Sequence, residues 1–255
     1  MKLKLFKSLF SNVKGATEHP LSIDRKNMTA PLVGKGVEIG AGNLPMLFEN
    51  EVEMTYIDKH SQEELRQIFP NVDYPRLSKI IIGNSDEPLN LEANSYNFLV
   101  AAHVIEHLRN PFKSLDYWCR VVKELGHIYI ILPNRNDCFD KGRPYTAVSH
   151  LAQEYKLDND SAQMKQNLVN HLREHYANTD FKGKEHLMDR EINYEYQINL
   201  GAAHYHVFGV VNSYEFFEYS REYLNFPLKL VALQYRMGEI RYLFQKKKAL
   251  CVISK

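Results

Sequence analysis

A glutamate, two glycines and an aspartate carry the first chemical signal in this chain of 255 residues. Glu38-Ile39-Gly40-Ala41-Gly42 closes one short apolar run, and a second run from Val52 to Ile57 ends in Asp58. A strand entering a glycine turn, followed about twenty residues later by a strand ending in a carboxylate, is the layout of a nucleotide-type crevice in a parallel sheet. Gly40 and Gly42 can take positive φ and bring backbone N–H groups close to a ligand, while Asp58 can accept both hydroxyls of a ribose. The turn continues Asn43-Leu44-Pro45, without the third glycine that lets a helix approach a pyrophosphate closely. A diphosphate is therefore not the expected ligand, and a nicotinamide-dependent oxidoreductase is the outside reading.

Imidazoles are the second signal. His204 and His206 stand at i and i+2, on one side of an extended segment, and His150 follows the Arg143-Pro144 turn. With an unperturbed pKa of about 6.5, imidazole is the natural base at neutral pH. The competing reading, given equal weight, makes these side chains structural hydrogen-bonding groups. A metal reading would combine His204 and His206 with His103, His107 or His150; it is the minor one, and no metal is assigned.

The elements that must position these residues follow from hydrophobic periodicity. Strands are expected near 36–40, 52–57, 77–82, 97–101, 128–132, 229–235 and 240–244, with the last two paired around Met237-Gly238. Ser61 with Glu64 resembles a capping box and opens a short helix that lasts until Pro70. Residues 111–124 place Phe112, Leu115, Trp118 and Val122 at core spacing, with Trp118 as packing. Helices are also expected over 146–156, 160–177 and 213–224, the second facing solvent on one side with His171, His175 and His186 on that surface. Residues 15–33, with Gly15, Pro20 and Pro31, read as an irregular lead-in.

Composition bounds the class. Hydrophobic residues at 44% and charged residues at 25% give a chain able to bury one substantial core. A formal charge of +1 offers no field for a polyanion, so no nucleic-acid partner is expected. Cys119, Cys138 and Cys251 form no CxxC pair, which points to a reducing, cytoplasmic setting. No stretch is long enough to span a bilayer. Leu5, Phe6, Leu9, Phe10 and Val13 share a helical face that could lie on an anionic membrane, although a cap packed on the domain is the commoner use.

Taken together, Glu-x-Gly-x-Gly, the acidic end of the second strand and Ala101-Ala102-His103-Val104-Ile105-Glu106-His107-Leu108 resemble the class I S-adenosylmethionine (SAM) dependent methyltransferases. The resemblance continues in Gly126 to Pro133, in Arg143-Pro144-Tyr145-Thr146 with His150-Leu151, and in His204-Tyr205-His206-Val207-Phe208. That order is similar to a methyltransferase-11-like subgroup associated with bacterial surface polysaccharide synthesis, over most of 34–248. It implies an α/β, Rossmann-like, seven-stranded, mostly parallel sheet with an antiparallel C-terminal hairpin strand and a helical insertion before the last strands. The expected organisation is a lead-in or cap over 1–33, a SAM-binding core over 34–134 and 207–255, and an acceptor-binding insertion over 135–206.

The resemblance implies cofactor contacts from Glu38, Gly40, Ala41, Gly42, Asp58, Lys59, Ser85, Asp86, His103 and His107. Ser85 and Asp86 match the positions near the adenine amino group, and His103 a wall of the methionine pocket. Transfer from a sulfonium is an in-line displacement in which positioning can supply roughly 7–11 kcal/mol, more than the 10²- to 10⁴-fold of one proton-transfer group. A sugar hydroxyl still has to lose its proton, for which His206 or His150 is the expected base. Arg143, Asp140, Tyr145, His204 and Tyr205 are expected to hold the acceptor. The expected activity is methylation of a small polar acceptor, a sugar hydroxyl or surface-polysaccharide precursor. The alternatives are a phosphate-like or amine acceptor, and an inactive SAM-binding partner subunit; a homodimer is one assembly compatible with the chain.

Overall fold

The computed structural model describes residues 20–42, 44–68, 80–179, 189–190, 192–193 and 203–248. In chain order these form α1 (Pro20–Lys26), β1 (Gly34–Ile39), β2 (Val52–Asp58), α2 (Gln62–Ile68), β3 (Ile80–Ile82), β4 (Tyr96–Ala102), α3 (Pro111–Val121), β5 (Val122–Pro133), α4 (Val148–Tyr155), α5 (Ala162–Asn178), α6 (Val210–Glu222), β6 (Leu228–Arg236) and β7 (Glu239–Lys246). The seven strands lie in one sheet in the order β3-β2-β1-β4-β5-β7-β6. Pairing from β3 through β5 is parallel, and β7 runs antiparallel to both β5 and β6. This is the Rossmann-like sheet with a terminal hairpin that the sequence implied.

The central strands are apolar over most of their buried length because helices and loops cover both sheet faces. Ile128 to Leu132 and Phe98 to Val100 have no exposed surface. On one face they join Phe112, Leu115, Trp118, Phe216 and Phe217 in the main core. Each such side chain contributes about 1.5–3 kcal/mol through burial. α3 starts at an Asn110 cap with Pro111 in the first turn, and stops at Val121 rather than at 124. β5 begins at once and is irregular between Val122 and His127, where Leu125 adopts a positive φ of 61° and a side chain at position 126 would meet the Asn97 carbonyl at 2.5 Å. Only Gly126 fits there.

Several expectations shift. The lead-in holds a helix, α1, whose buried Asp24 and Arg25 dock onto β7: Arg25 and Arg241 both bind Glu239, and Arg241 donates to Asp24 at 2.6 Å. The Ser61–Glu64 box forms as expected, with Ser61 N–H donating to Glu64 at 2.8 Å and Glu64 N–H to the Ser61 hydroxyl at 3.2 Å. His175 does not face solvent; it is buried beside Leu172 and Tyr176. The amphipathic segment 2–14, residues 77–79, His186 and Cys251 lie outside the described residues. Among the described residues, no helix is long and apolar enough to cross a membrane.

Candidate active site

Four strand ends meet along the carboxyl edge of the sheet. At the end of β1, Glu38 is fully enclosed and its carboxylate accepts the Met46 N–H at 3.0 and 3.1 Å, which folds the glycine turn back onto the strand. Burial pushes the Glu38 carboxyl up to about 8, against the pull of that N–H and of Arg25. Gly40 has φ 62° and Gly42 φ 53°, as a tight turn open to a ligand requires. The Gly40 N–H donates to the Ile57 carbonyl at 2.7 Å, and a side chain at position 40 would press Val104 at 3.0 Å. Ala41 and Gly42 stay partly open beside it.

Asp58 ends β2 two residues from His60, whose N–H it accepts at 2.9 Å, while its carbonyl accepts the Gly83 N–H at 2.9 Å. The glycine turn, Asp58 with the half-buried Lys59, and the 83–86 loop thus stand side by side at the ends of β1, β2 and β3. Ser85 is half-buried on that loop. Asp86 is not open in the same way: it is buried and accepts the Arg109 backbone N–H at 2.6 Å and the Arg109 Nε at 3.1 Å. The resemblance implied Asp86 as a cofactor contact near the adenine amino group, and the structure gives its carboxylate a loop-fastening role.

The end of β4 carries an imidazole and carboxylate array. His103 takes a positive φ of 55°, uncommon for a residue with a side chain, and its N–H donates to the Ile131 carbonyl. Its ring lies 2.8 Å from Glu239 and 3.4 Å from Glu106. Burial lowers the His103 pKa, yet the two carboxylates raise it above the ordinary imidazole value. Glu106 has no exposed surface, and among the described residues neither carboxylate oxygen has a hydrogen-bond partner. Three imidazole nitrogens surround it, from His103 at 3.4 Å, His204 at 3.9 Å and His107 at 4.0 Å. Although burial opposes it, the His103 ring first, and the neighbouring imidazoles after it, hold the Glu106 carboxyl below its usual range. His107 Nδ1 faces the Ala203 carbonyl at 2.9 Å, so that nitrogen is the donor and Nε2 the acceptor. Burial and the adjacent His204 bring the His107 pKa down to about 4.

Residues 139–143 and 203–204 pack against this array. Asp140 accepts from His204 Nδ1 and from Arg143, each at 2.6 Å, and Arg143 also donates to the His204 carbonyl at 2.9 Å. Burial alone would raise the Asp140 pKa; His204 and Arg143 bring it down to about 2. The partly exposed Phe139 lies against His204, with ring centres 4.4 Å apart. Asp140 and Arg143 are both buried and directed at each other, so as they stand neither reaches an acceptor. Tyr205 is enclosed with Leu168, Leu172 and Tyr176. Tyr145 is exposed, stacks under Arg135 at 3.7 Å, and lines a hollow of about 600 Å³ with Asn134, Thr146, Val210 and Tyr235.

His204 and His206 are separated by the structure. Both Tyr205 and His206 donate backbone N–H groups to the Glu106 carbonyl, but the His204 ring joins the β4 array while the His206 ring turns toward Glu154. His206 has no exposed surface, and burial lowers its pKa to about 3. His150, at the start of α4, is half-exposed and lies 3.1 Å from Glu154. Sequence reasoning missed Glu154, His171 and His175. The spacing that could have found them is i and i+4, in His150 with Glu154 and in His171 with His175, which puts each pair on one helix face.

Comparison with known proteins agrees with this geometry where it can be made. Residues 34–130, which run from β1 to the middle of β5 and contain the glycine turn, Asp58, His103, Glu106 and His107, match the model of a methyltransferase domain. No curated protein matches. Among solved structures, the chain resembles a SAM-dependent methyltransferase from Thermotoga maritima described as a possible histamine N-methyltransferase, at 13% identity and TM-score 0.46, covering 91% of each chain. It also resembles a putative SAM-dependent methyltransferase from Methanococcus maripaludis, at 10% identity and TM-score 0.49, covering 98% of this chain and 93% of that one.

Proposed function

We propose that this SAM-dependent methyltransferase transfers its methyl group to a hydroxyl of a small polar acceptor, of the sugar or surface-polysaccharide-precursor class. The observation that carries the reading is the order of groups along the carboxyl edge. From β3 to β4, the edge offers the Ser85 loop, the Asp58 carboxylate, the glycine turn and then the His103–Glu106–His107 array with His204. A cofactor with its ribose on Asp58 and its amino-acid part on the glycine turn directs the sulfur toward β4. An acceptor there meets imidazole and carboxylate groups suited to hydrogen-bonding hydroxyls.

In this reading SAM supplies an electrophilic methyl group, and the chain's residues position the acceptor and take its proton. His204 is the base. The Asp140 carboxylate, held ionised, accepts from Nδ1 at 2.6 Å and so fixes the Nε2 nitrogen as the proton acceptor. Phe139 covers the ring against water. His107, neutral at pH 7 with Nε2 free to accept, lies against His204 at 4.6 Å between ring centres and orients the hydroxyl. The sugar class itself rests on the resemblance in motif order and on the neutral overall charge, which favours no polyanion.

The test is methyl transfer from labelled SAM across sugar nucleotides and free glycans, with wild type and His204→Ala. Transfer to a sugar hydroxyl, lost by about 10²- to 10⁴-fold in the variant while affinity for S-adenosylhomocysteine stays unchanged, is expected. Transfer only to amines or phosphates, or an unchanged rate in His204→Ala, overturns the reading.

A further inference from the structure

We propose that His150, Glu154, His171 and His206 form a binding site for one divalent transition-metal ion of the zinc type, next to the β4 array but separate from it. The proposal goes beyond the methyltransferase reading and does not depend on it. Three elements supply the groups: α4 carries His150 and Glu154 at i and i+4, α5 carries His171, and the 203–208 segment carries His206.

Glu154 Oε1 lies 3.1 Å from His150 Nε2 and 3.0 Å from His171 Nε2, and those two nitrogens are 3.2 Å apart. The three atoms make a nearly equilateral triangle. An ion with bonds of about 2.0–2.1 Å in tetrahedral geometry spaces its ligands about 3.3 Å apart, so the triangle is close to one face of such a site. The donor set, imidazole nitrogens and one carboxylate, suits zinc and its neighbours rather than calcium or magnesium. Asn167 donates to Glu154 Oε1 at 3.1 Å and steadies the carboxylate from behind, as outer groups around metal ligands do.

The unpartnered atoms are independent evidence. Glu154 and His206 have no exposed surface, and among the described residues Glu154 Oε2 and both His206 ring nitrogens lack a hydrogen-bond partner. His206 Nε2 and Glu154 Oε2 face each other at 3.6 Å, too far for a hydrogen bond. Orphaned polar atoms at zero exposure are costly, and a cation on the neighbouring His150–Glu154–His171 face offers Glu154 Oε2 and His206 Nε2 a partner, leaving only His206 Nδ1 without one. The partly exposed His150 ring gives the ion its entry path. Bound there, the ion ties α4, α5 and the 203–208 segment together one helical turn from His175, and so steadies His204 two residues from His206.

The experiment strips the full-length protein with a chelator, then titrates Zn²⁺ by calorimetry and measures bound metal after dialysis. Co²⁺ substitution gives a visible spectrum that reports tetrahedral ligation. The expected result is one equivalent bound with micromolar or tighter affinity, a raised melting temperature, and at least a tenfold loss of affinity in His150→Ala and in Glu154→Gln. His150→Ala removes a half-exposed ring and is the variant least able to fail by unfolding. Affinity for S-adenosylhomocysteine, measured on the stripped protein, reads the cofactor site separately. No bound equivalent in wild type, binding unchanged in both variants, or binding lost in His204→Ala and not in His150→Ala would each overturn the assignment; the last would move the ion to the β4 array.

Discussion

Replacing Asp140 by Asn tests how residues 139–143 are fastened against the β4 array. Asp140 and Arg143 are each buried to within 2% of completely, and their 2.6 Å contact is joined by the 2.6 Å contact to His204. Asparagine keeps the shape and an acceptor oxygen but leaves the Arg143 guanidinium with only the partly exposed Glu174 carboxylate, at 3.7 Å, as counter-charge. Breaking one side of a buried pair typically costs about 3–5 kcal/mol. A second measure comes from linkage: the Asp140 carboxyl moves from 3.8 to about 2 on folding. At about 1.36 kcal/mol per unit, this corresponds to about 2.4 kcal/mol of stability. Because the folded value is the lower one, that contribution is complete above pH 3.8 and is lost as the pH falls toward 2. Urea unfolding at pH 7 should show Asp140→Asn less stable by about 2–4 kcal/mol, read as a lower midpoint at unchanged m-value, with the gap between wild type and variant narrowing from pH 4 to pH 2. A loss under about 1 kcal/mol, or a gap that stays constant into acid, would refute the reasoning.

Gly40→Val forces a side chain into a positive-φ position and against Val104, which would sit 3.0 Å from the new Cβ. S-adenosylhomocysteine affinity should fall at least about tenfold, read by calorimetry, since the turn must open to seat the side chain. Glu38→Gln removes a carboxyl whose folded pKa of about 8 exceeds its ordinary 4.5. The stabilising effect of that raised value is present below 4.5 and lost as the pH rises through 8, so melting scans at pH 5 and pH 9 should fall more steeply for wild type than for the variant. Equal slopes would show that Glu38 is ionised in the fold.

The fold was legible because its signals are local and periodic. Ile128 to Leu132, Phe98 to Ala101 and the Phe112–Leu115–Trp118 spacing state strand and helix without reference to neighbours. The 122–126 region was misjudged because it pairs with β4 through an irregular stretch in which Gly126 fits against the Asn97 carbonyl, a long-range steric fact. α1 was missed because its helix is short and buries a charged pair, Asp24 and Arg25, whose partners Arg241 and Glu239 lie more than 200 residues away. The glycine turn and Asp58 were readable as types at a spacing. The imidazoles were harder: extended-chain spacing put His204 and His206 together, whereas Glu106 accepts both Tyr205 and His206 N–H groups and the segment turns between the two rings. His175 read as surface because α5 is polar overall, and only the packing of α5 against the 203–205 stretch turns it inward.

The account stands on a cofactor cleft at the glycine turn and Asp58. Calorimetric titration of S-adenosylhomocysteine into wild type and Asp58→Ala tests it most directly. One equivalent bound by wild type, with affinity at least about tenfold weaker once the carboxylate proposed to receive the ribose hydroxyls is gone, is the predicted result. Binding of equal strength in both proteins, or none in either, would contradict it.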